Sequence, residues 1–541
     1  MVTKSYRLNL INQEIPAPVH APAGLRSGIS GGLVALLFAA SIGISSIPIL
    51  GNEFVSINDY YNHLARTAVL LQYAKESAVS LYFLPNWQPL PNLAFDLWVF
   101  GLGRIVPITV AGKLFIIATF ELTLGGVIFL HRVTFVRWSL WPFLTLLLLY
   151  NRLFWVGYLN FLFGVALWLH AMSLWVYFHR ARPWLRSSIL AAAALVIFFL
   201  HLAAFGILAV TIATYELAAV ASTRRRWRTG IVDLMLAAIP FVPPVVVAVF
   251  FSPHSDASAA VRYRDLTTRI AGFAVPVLYD WRIDAACFLL LSGLFAWAVA
   301  TKSINFDPRL TACAFALFVL QFGMPNVIMT AEGGDRRLPL PMMLLAIGAT
   351  DLRTGLRGQR LSFILAGGAV FALRIANVEA RWYSDQPIYA DVWSGLSALP
   401  AGARVASAFA PNSFDDFSVP AVAICYLPVW QIVSHGGFTQ TLFAYPTQQP
   451  LVFTYKYEAL AAATPPGLLW RVFVATADTD EPARPSPALV ASLLGYEFIA
   501  FFGRHQFSIR NTPLLQQFYE GRHIRIYRPM LVRLTPKATK S

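Results

Sequence analysis

The chain has 541 residues, 57% of them hydrophobic and only 13% charged, with a mean hydropathy of +0.59. A soluble protein carries about a quarter of its residues as charges, so a set of water-facing globules is excluded and most of the surface must face lipid. The net charge of +15 would elsewhere suggest nucleic acid, but its basic residues fall between apolar runs, where they act as a topology signal.

The tail before the first apolar run, residues 1–28, is too long for a typical cleaved signal, and its run too extended, so it reads as a cytoplasmic tail ahead of an anchor. Apolar runs follow at about 29–50, 108–130, 138–150, 155–178, 187–200, 203–221, 231–251, 285–301, 310–329, 338–351 and 361–378. Crossing a bilayer takes about 20 helical residues, so most of these approach the required length. The runs at 138–150, 187–200 and 338–351 fall short alone. The fold expected is an α-helical polytopic membrane protein of about 11 transmembrane helices, its membrane part spanning 29–378. Placing the N-terminus in the cytoplasm puts Arg132 and Arg137, Arg180 to Arg186, the Thr223–Arg228 run, Lys302 and Arg309, and Arg353 to Arg360 on the cytoplasmic side, as the positive-inside bias requires.

Two large segments then lie outside. One is the loop 51–107. The other is residues 379–541, whose Pro and Gly breaks and short β-like runs at Trp470–Ala475 and Glu497–Phe502 indicate an extracytoplasmic α/β domain. Its His523–Arg533 stretch alternates and is basic, as in a strand near anionic lipid or, more plainly, a solvated edge strand. Cys287, Cys313 and Cys425 form no CxxC pair, which argues against zinc and a disulfide framework.

Charge is scarce, so the charged groups on the outer side are informative. In the first loop Asn58 is a plausible N-cap for an amphipathic helix reaching about Glu76. Asp59, His63 and Arg66 at i, i+4 and i+7 share one face, an arrangement suited to deprotonating a hydroxyl and holding a phosphate. The plainer reading is that Asp59 complements the helix dipole while the others face water. A second set, Glu332, Asp335, Arg336 and Arg337, sits in a Gly-Gly turn, and its adjacent arginines oppose the positive-inside bias. They point either to lipid phosphate or to pairing with the two acids. A third set is Arg262, Arg264, Arg269, Asp280, Arg282 and Asp284. Arg152 and His201 stand alone, the latter readable as a satisfied interfacial histidine.

Several motifs fail on context. Gly28 to Gly32 matches G-x-S-x-G but opens a membrane span, not a strand-to-helix elbow. Asp478 to Glu481 resembles a metal loop without a partner and reads more simply as a solvated turn.

The segments Asn58 to Arg66, Trp87 to Leu93, Tyr158 to Gly164 and Gly334 to Pro339 resemble those of C-type (GT-C) membrane glycosyltransferases from bacteria, which have many membrane helices, a large first loop with an acid just after the first span, and often an outer C-terminal domain. The resemblance implies a bacterial inner-membrane enzyme that moves a sugar from a polyprenyl-phosphate donor to a glycan, lipid or protein acceptor at the extracytoplasmic face, with inversion. It assigns Asp59 as base, and Arg336, Arg337, His63, Arg66 and Arg152 as donor-phosphate stabilisers, with His201, Glu332 and Asp335 as further candidates. Position 57 is Ile and position 58 Asn, so no paired acid is present in the first loop to support a divalent metal. The competing readings are a transporter or flippase for a lipid-linked glycan, with Glu121, Glu216 and His170 as its intramembrane polar groups, and a non-enzymatic assembly protein. A reporter fused after residue 380 is expected to score as extracytoplasmic; activity of a cytoplasm-only reporter there would overturn the topology.

Overall fold

The computed structural model describes residues 29–73, 78–180, 183–222, 227–253, 261–328, 331–352, 357–410, 426–475 and 485–530. The chain is a polytopic membrane protein, predominantly helical, with a C-terminal portion of mixed helix and strand. Among the described residues six helical segments are long and apolar enough to cross a bilayer: Gly31–Gly51, Ile108–Phe135, Leu159–Tyr177, Leu202–Ser222, Gly230–Phe250 and Trp281–Ala300. Trp141–Val156, Trp184–Leu200 and Pro308–Gly323 are shorter apolar helices. The 28-residue helix Ile108–Phe135 is about 42 Å long at 1.5 Å per residue.

Burial separates a centre from a periphery. The Leu159–Tyr177 helix is 78% buried, whereas Gly230–Phe250 and Trp281–Ala300 are each 17% buried. The outer helices expose Met235, Phe250 and Leu289, as side chains solvated by acyl chains do, since association between spans depends on packing and not on escape from water.

Local chemistry explains several boundaries. Ser30 caps the first helix, its side chain accepting from Leu33 N at 3.2 Å, so the G-x-S-x-G match is a helix start. Asp307 caps Pro308–Gly323 by accepting from Arg309 N and Leu310 N, with Pro308 at the first helical position, where its missing N–H costs nothing. The long apolar stretch over 187–221 breaks at His201 into two helices.

Three expectations are corrected. The 138–150 run is not a regular span: Trp141–Leu148 is a 3-10 helix with Pro142 in its first turn, followed by the short helix Arg152–Val156. Trp470–Ala475 is mostly the end of a helix, Pro466–Phe473, with only Val474–Ala475 extended. The basic Ile524–Pro529 strand is internal, paired antiparallel with Leu515–Glu520 on one side and Phe498–Phe502 on the other, while Val405–Phe409 adds in parallel beyond Phe498–Phe502. Residues 1–28, Cys425, most of the Thr223–Arg228 run and Asp478 to Glu481 lie outside the described residues.

The membrane part and the C-terminal part are joined by more than a linker. Helix Arg357–Ser397 runs continuously through the expected boundary at 378, with Pro387 inside it. The first loop, built from Tyr60–Tyr73, Phe83–Pro85 and Ala94–Leu102, is stitched to both. Gln386 exchanges two hydrogen bonds with the backbone of Phe54 at 2.9 and 3.0 Å, and Phe83–Pro85 pairs antiparallel with Leu451–Phe453.

Arg374 anchors the long helix. It is 1% exposed and bonds Asp284 Oδ1 at 2.6 Å, the Val277 carbonyl at 2.8 Å and the Tyr150 carbonyl. Removing one partner of a buried ion pair costs about 3–5 kcal/mol, while replacing both by apolar groups is often neutral. Arg374→Leu is therefore expected to lower the thermal midpoint of the detergent-solubilised protein sharply, and Arg374→Leu with Asp284→Leu to recover most of the loss.

Candidate functional site

The first-loop helix starts at Tyr60, one residue later than an Asn58 cap predicts: His63 N bonds the Asp59 carbonyl at 3.0 Å. Every residue from Tyr60 to Leu70 is buried, so this helix has no water-facing side. Asp59 itself is half-buried. Its backbone N–H donates to the Val156 carbonyl, and Asn58 N–H to that of Trp155, which clamps the start of the helix onto the turn after Arg152–Val156. That turn closes through Gly157 at φ +103°, where a Cβ would lie 2.6 Å from Asp59 Cβ. A side chain there would meet both a forbidden backbone region and the acid itself.

Asp59 opens into a cavity of about 130 Å³, lined also by His63, Asn92, Tyr158, Asn160, His201, Arg337, Phe443, Gln448 and Gln449. Four of the residues singled out in the sequence thus meet at one place: Asp59, His63, His201 and Arg337. The others do not line it. Arg66 is fully buried behind His63 and bound through two nitrogens to Asp96, both contacts at 2.7 Å. Arg152 lies 4.4 Å over the Trp155 ring. Asp335 is buried, accepts from the Arg336 backbone N–H at 2.9 Å and lies 4.0 Å from Arg264, and Arg336 is absent from the cavity lining. The side chain of Glu332 lies outside the described residues. In the third set, Asp284 pairs with Arg374 and Asp280 with Arg381.

The hydrogen bonds fix protonation. A guanidinium only donates, so Arg66 Nη2, 2.9 Å from His63 Nδ1, makes that nitrogen an acceptor. The proton sits on Nε2, which bonds the Gly157 carbonyl. Burial, reinforced by the Arg66 charge, holds His63 well below the ordinary imidazole range. His63 is therefore held as a neutral ring at the edge of the cavity. His201 behaves alike: its Nδ1 accepts from Ala203 N at 3.1 Å, which leaves the proton on Nε2, and burial together with Arg337 keeps the ring neutral. Asp59 is pushed up to about 8 by burial, opposed by the more distant Arg66 charge. Among the described residues no cation is in ion-pair contact with it.

Arg337 lies 4.7 Å over the Tyr158 ring and 5.9 Å over Phe161, a stacked setting that suits guanidinium better than ammonium. Among the described residues no carboxylate pairs with it, and its Nε is buried without a hydrogen-bond partner. The preceding Gly333, at φ +75°, lies where a Cβ would meet the Tyr158 hydroxyl at 2.5 Å, so the Gly-Gly turn is what lets Arg337 reach the cavity. Three membrane-part helices begin here, Leu159–Tyr177, Leu202–Ser222 and Pro339–Gly348, and their positive dipole ends add to its charge.

Sequence reasoning missed Asp96, Asn92, and the C-terminal contributors Phe443, Gln448 and Gln449. Asn92 accepts at Oδ1 from Asn160 Nδ2 at 2.9 Å, and both lie within segments already notable in the sequence. Gln448 and Gln449 carry no charge or spacing signal. Among the described residues no three His, Cys, Asp or Glu side chains gather around one point as metal ligands would.

Among solved structures, the chain is similar to ArnT from Cupriavidus metallidurans, in a crystal structure with undecaprenyl phosphate bound, at 12% identity, covering 92% of this chain and 98% of that one, with a TM-score of 0.43. No protein-family model matches the chain, and no curated protein matches it.

Gly157→Ala is expected to displace Asp59, costing about 1–3 kcal/mol in strain and returning its titration toward ordinary carboxylate values as water enters. Thermal unfolding and a pH titration of the carboxyl infrared band measure the two effects.

Proposed function

We propose that the protein is a membrane glycosyltransferase that takes a sugar from a polyprenyl-phosphate donor and passes it to an acceptor hydroxyl at the extracytoplasmic face, with inversion. The observation that carries this reading is that Asp59 and Arg337, from the first loop and a distant turn, line the same cavity.

The two halves of the chemistry need opposite environments. A base must accept the acceptor's proton as the hydroxyl attacks, and an acid with its pKa raised by burial is a stronger base once ionised. The departing phosphate gains negative charge, which preorganised donors stabilise best in a water-poor site. Asp59 supplies the first function. Arg337, the neutral His201 through its Nε2–H, and the three helix starts supply the second. His63 holds the Gly157 turn against Asp59, and Arg66 is a tuning charge behind it instead of a phosphate ligand. The small cavity accepts reacting groups while the polyprenyl chain stays in lipid.

Two of the three intramembrane polar groups of the transport reading are engaged, which favours the transferase: Glu216 is bound to Arg186 at 2.6 Å and to Trp175 Nε1 at 2.8 Å, and His170 to the Leu122 carbonyl at 3.0 Å, while Glu121 lies exposed on its helix.

Transfer of labelled sugar from a polyprenyl-phosphate donor by purified protein tests the proposal. Asp59→Asn is expected to abolish transfer without loss of membrane insertion, and Arg337→Gln to lower the rate about 10²–10³-fold, the usual cost of one charge-stabilising donor. Because the ionised form acts, and its population falls tenfold for each pH unit below the pKa, kcat/KM should rise with pH and level off near pH 8. Full activity in Asp59→Asn would remove the acid from the mechanism.

A further inference from the structure

The cavity has two unlike sides. Among the described residues Asp59 and Arg337 are its only formally charged lining groups, and they belong to the first loop and the membrane part. The wall formed by the C-terminal portion is neutral, presenting an aromatic ring, Phe443, and two amides, Gln448 and Gln449, with the Asn92 amide beside them.

This wall is held by the first loop at both ends. Asn62 donates to the Thr441 carbonyl at 2.7 Å and accepts from Phe443 N at 2.6 Å. Asn86 donates its side-chain amide to the Pro446 and Gln449 carbonyls at 2.9 and 3.1 Å, and its N–H to the Pro450 carbonyl at 2.8 Å. The turn between them closes on itself, with Gln448 N and Gln449 N both donating to the Tyr445 carbonyl. These backbone bonds hold the turn in place, but the Gln449 side-chain oxygen is left over. Gln449 is 4% exposed, and its Oε1 is buried without a hydrogen-bond partner. An orphaned acceptor in a neutral wall is costly unless a ligand donor meets it.

We propose that the 443–449 segment is the subsite for the transferred sugar, that it takes an uncharged sugar ring, and that Gln449 is its specificity-determining residue. The proposal rests on the transferase reading. Amide groups both donate to and accept from hydroxyls, and a ring face fits a flat apolar sugar face. A uronic acid would find no cation on this wall, since Arg337 serves the phosphate. A site that hydrogen-bonds a substrate hydroxyl rejects an analogue lacking it because its own buried group is left unpaired.

The test measures lipid binding to the full-length protein in nanodiscs, in an Asp59→Asn background so that nothing turns over. The probes are polyprenyl phosphate alone and polyprenyl phosphate carrying glucose, galactose, N-acetylglucosamine or glucuronic acid. At least one neutral sugar should tighten binding about tenfold over the bare lipid, a gain of about one well-made hydrogen bond. Gln449→Met should erase that gain while binding the bare lipid normally, and Gln448→Met should weaken it. Survival of the gain in Gln449→Met, no gain from any neutral sugar, or the largest gain from glucuronic acid would each overturn the subsite while leaving the transferase reading in place. Should both Gln variants lose the bare lipid too, the segment supports the fold and not the sugar, and the proposal fails. Failure of the parent protein to bind any of these lipids removes the transferase reading and the subsite together.

Discussion

Arg66 is buried among apolar side chains, and an ionised guanidinium is tolerable there only because Asp96 takes two of its N–H groups at 2.7 Å. That one pair does several things. It fastens the Tyr60–Tyr73 helix to Ala94–Leu102 and makes the first loop a packed unit. It directs a third N–H to His63, which selects the imidazole tautomer and keeps the ring uncharged. It also sets a shielded positive charge behind Asp59, enough to moderate the effect of burial but not to cancel it. The acid at the cavity, its neutral neighbour and the turn at Gly157 all depend on that buried contact.

How much of this was legible follows from what leaves a trace in one dimension. Asp59 stands immediately before the helix that carries His63, close enough to its first turn for the i, i+4 spacing to hold, and both side chains line the cavity. Arg337 was conspicuous because it violates the charge bias of membrane loops, and it reaches the cavity. The same reasoning did not separate it from Arg336 and Arg152, because the direction of a side chain in a tight turn depends on packing that spacing does not encode. Arg66 looked equally available until Asp96, a helix away, was seen to occupy it. The C-terminal amides gave no signal, since neutral polar residues in a loop resemble any solvated turn.

The fold divides similarly. Long apolar runs were readable as helices because length alone decides them. Short ones were ambiguous, and Trp141–Leu148 and Pro466–Phe473 show why: six to eight apolar residues fit several backbone states, and proline near the start settles the matter locally. The strand at Ile524–Pro529 alternates as an edge strand would, yet neighbours flank it on both sides, since alternation reports two unlike faces and not the number of partners.

The unbroken helix Arg357–Ser397 has a mechanical consequence. With Arg374 fixing its membrane end, and Gln386 and Tyr389 bonded to the first loop beyond it, the C-terminal wall of the cavity cannot swing freely on a hinge near residue 378. Opening must bend a rod. The cheapest flexing point is Pro387, where one backbone bond is already missing, so the proline acts as a built-in crease whose stiffness sets how wide the mouth can gape.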